Sequence, residues 1–181
     1  MEIPSERHWW IEPGALLGGP FPGSRSAEEL DRRLETLLDV GIRTFVSLME
    51  PGETNDQGDS FAPYDVPVAE LATARGIAVE FHRFPIPDYG TVSVRSYQRI
   101  LETVSASIDA GRPVYLHCWG GHGRTGTVAG CWLRDRGASP DGALEQITHL
   151  RSHSPYLRAM ESPQTDPQRE VVRHWPTAPA S

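Results

Sequence analysis

Residues 114–133 read VYLHCWGGHGRTGTVAGCWL, and no other stretch of the chain limits its fold so strongly. VYLHC reads as a short apolar strand that ends at Cys118. Gly120, Gly121 and Gly123 let the following loop turn sharply without Cβ clashes. A helix then begins at about Arg124. This order turns free backbone N–H groups and the positive end of a helix dipole toward one point, which suits an oxyanion. Cys118 stands at the rim of that cradle, where the amides, the dipole and Arg124 all favour a thiolate over a thiol. Arg124 adds a planar fork that matches two phosphate oxygens. The loop therefore makes a nucleophile and holds an oxyanion beside it.

Elsewhere, strand-like and helix-like segments alternate. HWWIEPGALLGGPFPG (residues 8–23) reads as two short strands around a Pro13–Gly14 turn. SAEELDRRLETLLDVG follows as a helix, with Ser26 and Glu29 as a capping box, an apolar stripe at Leu30, Leu34, Leu37 and Leu38, and Gly41 as its stop. Residues 43–49 form a strand and 50–64 a polar surface loop, 66–76 a helix, and 77–86 a strand alternating at Val79, Phe81 and Phe84. A long helix with Tyr97, Ile100, Leu101, Val104 and Ile108 on one face ends at Gly111. After the glycine loop come a helix ended by Gly137, one capped by Ser139 with Pro140 at its first position, and a last helix over TDPQREVVRHW. The pattern predicts an α/β fold with a central, mostly parallel sheet and helices on both faces. One domain is expected over 1–175, with 176–181 a disordered tail.

Composition narrows the function. The net charge of −7 excludes sequence-independent nucleic-acid binding, which needs a basic surface, but leaves room for a local basic pocket. All 17 basic residues are arginine, a bias that reads as the composition of a GC-rich bacterial genome. Two cysteines are too few for a disulfide framework, no stretch has the length of a membrane span, and the N-terminus lacks a signal-peptide pattern. A reduced cytoplasmic setting is the expectation.

HCWGGHGRTG resembles the signature loop, His-Cys-x5-Arg-Ser/Thr, of the cysteine-dependent protein tyrosine and dual-specificity phosphatases. EPGALLGGPFPG and LLDVGIRTFVSLMEPGE are similar to the N-terminal half of small bacterial members near the kinase-associated phosphatase group. The resemblance implies a phosphatase-type strand–P-loop–helix unit. It gives Cys118 the role of nucleophile, Arg124 that of phosphate clamp, Thr125 that of stabilising the leaving thiolate, and His117 that of supporting the loop. Trp119, Gly120, Gly121, His122 and Gly123 would line the phosphate, with Trp119 and His122 at the pocket mouth.

The family uses an acid to protonate the departing oxygen. In FPIPDYG, Asp88 follows a strand, with Pro85 and Pro87 stiffening the approach and Gly90 as a hinge. Asp88 is the expected acid, although PDYG is also an ordinary turn sequence; Asp59 and Asp65 are rivals. Gln164 and Gln168 copy a Gln-Thr-x-x-Gln pattern that positions water in tyrosine phosphatases, while Thr165 with Gln168 also reads as a capping box. Cys131, further along the same helix, is expected to be a core thiol. Trp9, Trp10 and the remaining histidines are expected to be packing or surface residues, and Glu50 and Glu53 to sit in a solvated loop.

The implied activity is metal-free and cofactor-free hydrolysis of phosphotyrosine, with phosphoserine and phosphothreonine open, through a phosphocysteine. The expected partner is a phosphorylated protein or a small phosphomonoester. The alternatives are a phosphoinositide, sugar phosphate or nucleotide substrate, an inactive phosphate-binding module, and sulfur transfer or arsenate reduction.

Overall fold

The computed structural model describes residues 2–176. Its elements in chain order are β1 (Trp9–Glu12), β2 (Leu16–Gly19), α1 (Ala27–Asp39), β3 (Thr44–Ser47), α2 (Asp65–Ala74) and β4 (Glu80–Arg83). Then come α3 (Val94–Asp109), β5 (Val114–His117), α4 (Gly123–Asp135), α5 (Pro140–Leu150), α6 (Pro155–Arg158) and α7 (Asp166–Arg173). The sheet order is β1-β2-β5-β3-β4; β1 runs antiparallel to β2 and every other pair is parallel.

Local chemistry explains the boundaries. Gly14 adopts φ 74° in the Pro13–Gly14 turn, and Ala15 N–H donates to Glu12 O at 3.0 Å. Ser26 caps α1 by accepting from Glu29 N–H, but the carboxylate of Glu29 turns to Arg32 and Arg33 instead of completing a box. Ser139 caps α5 with Pro140 in its first turn, as expected. At α7 the box is complete: Thr165 accepts from Gln168 N–H and the Gln168 side chain accepts from Thr165 N–H.

The five-stranded sheet separates two apolar layers. Helices α1 and α2 cover one face through Leu34, Leu37, Val68 and Ala72, packed on Phe45 and Tyr115. Helices α3, α4, α5 and α7 cover the other through Ile100, Val104, Trp132, Ile147 and Val172. Cys131 lies in this second layer with its thiol pushed up by burial, so it is the core residue that its position suggests. Trp9 belongs to one layer and Trp10 to the other.

Two further features differ from the sequence expectations. The strand expected over 77–86 pairs only over Glu80–Arg83, because it is an edge strand with β3 on one side and no strand on the other. Its Phe81 is 37% exposed, with one face stacked on Phe45 at 5.4 Å. The single turn of α6 has no counterpart among the expected helices. Residues 177–181 of the expected tail lie outside the described residues. Among the described residues, no helix is long and apolar enough to cross a membrane.

Helix α4 is the element that fixes the site. Every residue from Gly123 to Leu133 is buried. Such burial needs close neighbours, and glycines provide the room. A Cβ on Gly126 would collide with Ser162 Oγ, and one on Gly130 with the Val172 side chain of α7. Gly130→Ala should therefore destabilise the fold. Overpacking costs about 1–3 kcal/mol, against a gain of up to ~1 kcal/mol from helix propensity. Urea unfolding should show a lower midpoint; a higher one would contradict this packing.

Candidate active site

Strand β5 runs at the middle of the sheet, with His117 in register with Gly19 of β2 and Ser47 of β3. The loop after it therefore leaves from the carboxyl ends of three parallel strands, where open α/β sheets place their ligands. Gly121 has φ 77°, and a Cβ there would stand 2.5 Å from the Gly19 carbonyl carbon. Backbone conformation and close approach both demand glycine at that point. Among the described residues, the N–H groups of residues 119–125 find no acceptor in the chain; the first engaged is Gly126, which donates to His122 O at 3.0 Å. The loop borders a cavity of about 260 Å³ lined by Cys118, Gly120, His122, Gly123, Arg124 and Asp88, among others.

Arg124 is 1% exposed, and its partners fix it from three sides. Its Nη1 and Nη2 donate to Oε2 and Oε1 of Glu53 at 2.6 and 2.7 Å, a bidentate pair. Nη1 also donates to Ile86 O at 3.1 Å, and Nη2 lies 2.9 Å from Asp88 Oδ1. Burial works against the charge of Arg124. The Glu53 bond, with Cys118, Glu53 and Asp88 nearby, outweighs it, and the guanidinium holds its proton more tightly than usual. Its Nε is buried with no acceptor among the described residues. A fixed cation beside a row of free amides suits an anion's oxygens.

Glu53 departs from the solvated-loop expectation. Its side chain is only 10% exposed because it folds back onto Arg124, whereas Glu50 stays exposed. The 50–64 segment reads as a polar loop because the buried partner of Glu53 lies 71 positions away. An arginine required to be buried is the signal that a carboxylate partner had to exist.

Cys118 is 3% exposed, and Thr125 Oγ1 donates to its Sγ at 3.2 Å. His117 is fully buried. Its Nδ1 lies 3.2 Å from Cys118 O, so Nδ1 carries the proton and donates. Nε2 then accepts from Tyr64 O–H at 2.6 Å. Burial, assisted by Arg83 and Arg124 and opposed by the bond to Cys118 O, lowers the His117 pKa to about 3. Burial likewise pushes the Tyr64 hydroxyl up, which keeps it a donor. Tyr64 went unnoticed in the sequence because nothing near it hints at His117.

His122 lines the cavity, yet it is only 6% exposed and far less of a mouth residue than expected. Its Nδ1 lies 2.8 Å from Nη2 of the buried Arg151, which can only donate, so the imidazole proton sits on Nε2. Burial first, then Arg151 and Arg7, lower its pKa to about 4. Trp119 is half-buried at the rim, 5.7 Å from the Phe61 ring.

Asp88 is the one carboxylate among the described residues that line the cavity. Asp59 pairs with Arg25 at 2.9 Å and Asp65 opens α2. The left-handed residue of the Asp88 loop is Tyr89 (φ 56°) and not the expected hinge, Gly90. Two bonds hold the turn: Thr165 Oγ1 donates to Tyr89 O at 3.3 Å, and Gln168 Nε2 to Gly90 O at 3.2 Å. Gln168 is fully buried, and its Oε1 accepts from the N–H groups of Gln164 and Thr165. Its amide is committed at both ends. Gln164 is the glutamine that lines the cavity.

The parallel sheet, the strand–loop–helix cradle and the Cys/Arg pair together define the class of cysteine-based phosphatase folds. Residues 5–171 match the PTP-SAK family, described as the Swiss Army Knife protein, DSP-PTPase phosphatase domain, and the chain belongs to that family. Cyclin-dependent kinase inhibitor 3 of Rattus norvegicus is 30% identical over 141 residues, 76% of this chain and 61% of that protein. The chain thus matches less than two thirds of that relative's length. Tk-PTP in its active form superposes with a TM-score of 0.70 at 27% identity, covering 93% of this chain and 95% of that one. Kinase-associated phosphatase shares the fold with a TM-score of 0.66 at 23% identity, covering 93% and 92%.

The buried histidines make stability depend on pH. His117 and His122 are neutral in the fold down to about pH 3 and 4, whereas unfolded histidines protonate near 6.5. Above pH 6.5 both states are neutral and nothing is lost. Below it the unfolded state binds protons that the fold refuses, and stability falls by a slope approaching ~1.4 kcal/mol per pH unit per histidine. Unfolding between pH 6.5 and 4 should take up protons at both sites, and NMR at pH 5 should show both rings neutral. An imidazolium at either site at pH 5 would contradict the geometry.

Proposed function

We propose that this protein hydrolyses phosphomonoesters, foremost phosphotyrosine with phosphoserine and phosphothreonine accepted, through a phosphocysteine on Cys118. The observation that carries the reading is the convergence of Cys118, Arg124, Asp88 and the unengaged amides of the glycine loop on one cavity. The substrate phosphate takes the free loop amides and lies against the Arg124 guanidinium. These donors are fixed before the substrate arrives, so they stabilise the transition state without reorganising.

In the first step the Cys118 thiolate attacks phosphorus. An S–P bond forms, the P–O bond to the leaving group breaks, and Asp88 gives its proton to the departing oxygen. In the second step Asp88, now a carboxylate, takes a proton from a water held by Gln164. The water oxygen bonds to phosphorus, the S–P bond breaks, and Thr125 Oγ1 donates to the released thiolate, the contact already present at 3.2 Å. Gln168 serves as the bracket that holds the Asp88 turn. Glu53 keeps Arg124 in plane.

A protein substrate is supported by the relatives, which include a kinase-associated phosphatase and a mouse protein tyrosine phosphatase domain-containing protein 28% identical over 128 residues. Structures with the same fold include PTPMT1 in complex with PI(5)P and the yeast PP-IP phosphatase SIW14, so small phosphate esters are the second class to assay.

Hydrolysis should be measured on phosphotyrosine, whose leaving group is poor enough to need an acid, with EDTA present. Wild type should be active and Cys118→Ser inactive. Asp88→Asn should be slower by about 10²–10⁴-fold. Undiminished activity in Cys118→Ser would overturn the mechanism; undiminished activity in Asp88→Asn would move the acid elsewhere.

A further inference from the structure

Arg7 lies just before β1, and its guanidinium carbon sits 5.0 Å from the centre of the Tyr156 ring. It lines the catalytic cavity. It also lines a neighbouring cavity of about 200 Å³, together with Arg25, Arg33, Asp59, Phe61 and Trp119. Trp119 belongs to both walls as well. One arginine and one tryptophan therefore form the border between the phosphate loop and a side chamber.

The charges around that border are unequal. Arg25 is paired with Asp59 at 2.9 Å. Arg33 is paired with Glu29 at 2.8 Å and donates to Gly23 O at 3.0 Å. In the catalytic cavity, Arg124 is matched by both Glu53 and Asp88. Arg7 alone of these cations forms no ion pair among the described residues, and its Nε is buried without an acceptor. A partly buried guanidinium with no carboxylate beside it carries a desolvation cost that an arriving anion offsets.

We propose that Arg7 binds a second anionic group of the substrate, a phosphate or a carboxylate, seated in the side chamber while the scissile phosphate occupies the loop from Cys118 to Arg124. This rests on the phosphatase reading and adds a substrate class to it: monoesters with a second anion a short span from the first. Trp119 and Phe61, with ring centroids 5.7 Å apart, give the connecting scaffold an apolar surface. The same chemistry would come from an acidic side chain beside a phosphotyrosine or from a second phosphate on a small ring.

The test compares kcat/KM within two substrate pairs, for wild type, Arg7→Gln and Arg7→Lys. One pair is a phosphotyrosine peptide flanked by glutamates and its glutamine-flanked counterpart. The other is an inositol bisphosphate and the corresponding monophosphate. Wild type should prefer the doubly anionic member of at least one pair by about tenfold, the scale of one charge-assisted hydrogen bond. Arg7→Gln should abolish the preference and Arg7→Lys should keep part of it; the pair that shows the effect identifies the source of the anion. A merely structural role would lower both members of a pair alike, and that result, like a wild type with no preference in either pair, overturns the proposal. Hydrolysis of p-nitrophenyl phosphate by wild type separates the two levels. Activity there without a preference removes only the role of Arg7, whereas no activity removes the phosphatase reading and this proposal with it.

Discussion

The buried bidentate pair between Arg124 and Glu53 is the contact on which the rest of the site depends. A guanidinium taken out of water at such a position is costly unless its charge is met and its N–H groups are engaged. Glu53, Ile86 O and Asp88 meet that need for the two terminal nitrogens and no more. The pair is weak evidence for stability, since buried ion pairs barely offset their own desolvation. Its effect is geometric: it fixes the plane of the fork, with both terminal nitrogens engaged. The three partners come from two segments, the 50–64 loop and the loop that carries Ile86 and Asp88, so one arginine gathers both around the glycine loop.

The fold around this pair is organised to allow close approach. Gly121 lets the loop pass the end of β2, and Gly126 and Gly130 let α4 sink between the sheet and α7. In return, α7 closes the back of the site. Its capping box uses Gln168 to accept two backbone amides and to hold the Gly90 carbonyl. A helix cap and the Asp88 loop are thus parts of one hydrogen-bond network. Arg151 does comparable service behind the loop, fixing the His122 ring from a buried position above Trp9.

Much of this was legible in the sequence, and what was missed shares a physical cause. The strand–loop–helix unit, the parallel sheet, the caps at Ser26, Ser139 and Thr165, and the Cys118–Arg124 cradle all rest on local patterns: periodicity, glycine placement and cap residues. The two functions suggested for Gln168, cap and water holder, could not be separated from spacing alone; the structure commits its amide to the backbone. Glu53, Tyr64, Arg7 and Arg151 carry no local mark. Each acts through a partner far away in the chain, and only the folded sheet brings them together. The shortened β4 and the exposed face of Phe81 have a related origin, because alternation shows that a strand has two faces but not that it lies at an edge.

The proposed chemistry centres on a covalent bond to one sulfur, that of Cys118. The most direct measurement is a rapid quench of the protein during turnover of a phosphomonoester, followed by peptide mass spectrometry. Phosphoryl found on the peptide that contains Cys118, and lost in Cys118→Ser, is the predicted result. Turnover with no phosphoryl-enzyme on any quench time scale and with activity retained in Cys118→Ser, or phosphoryl on another residue, would contradict it.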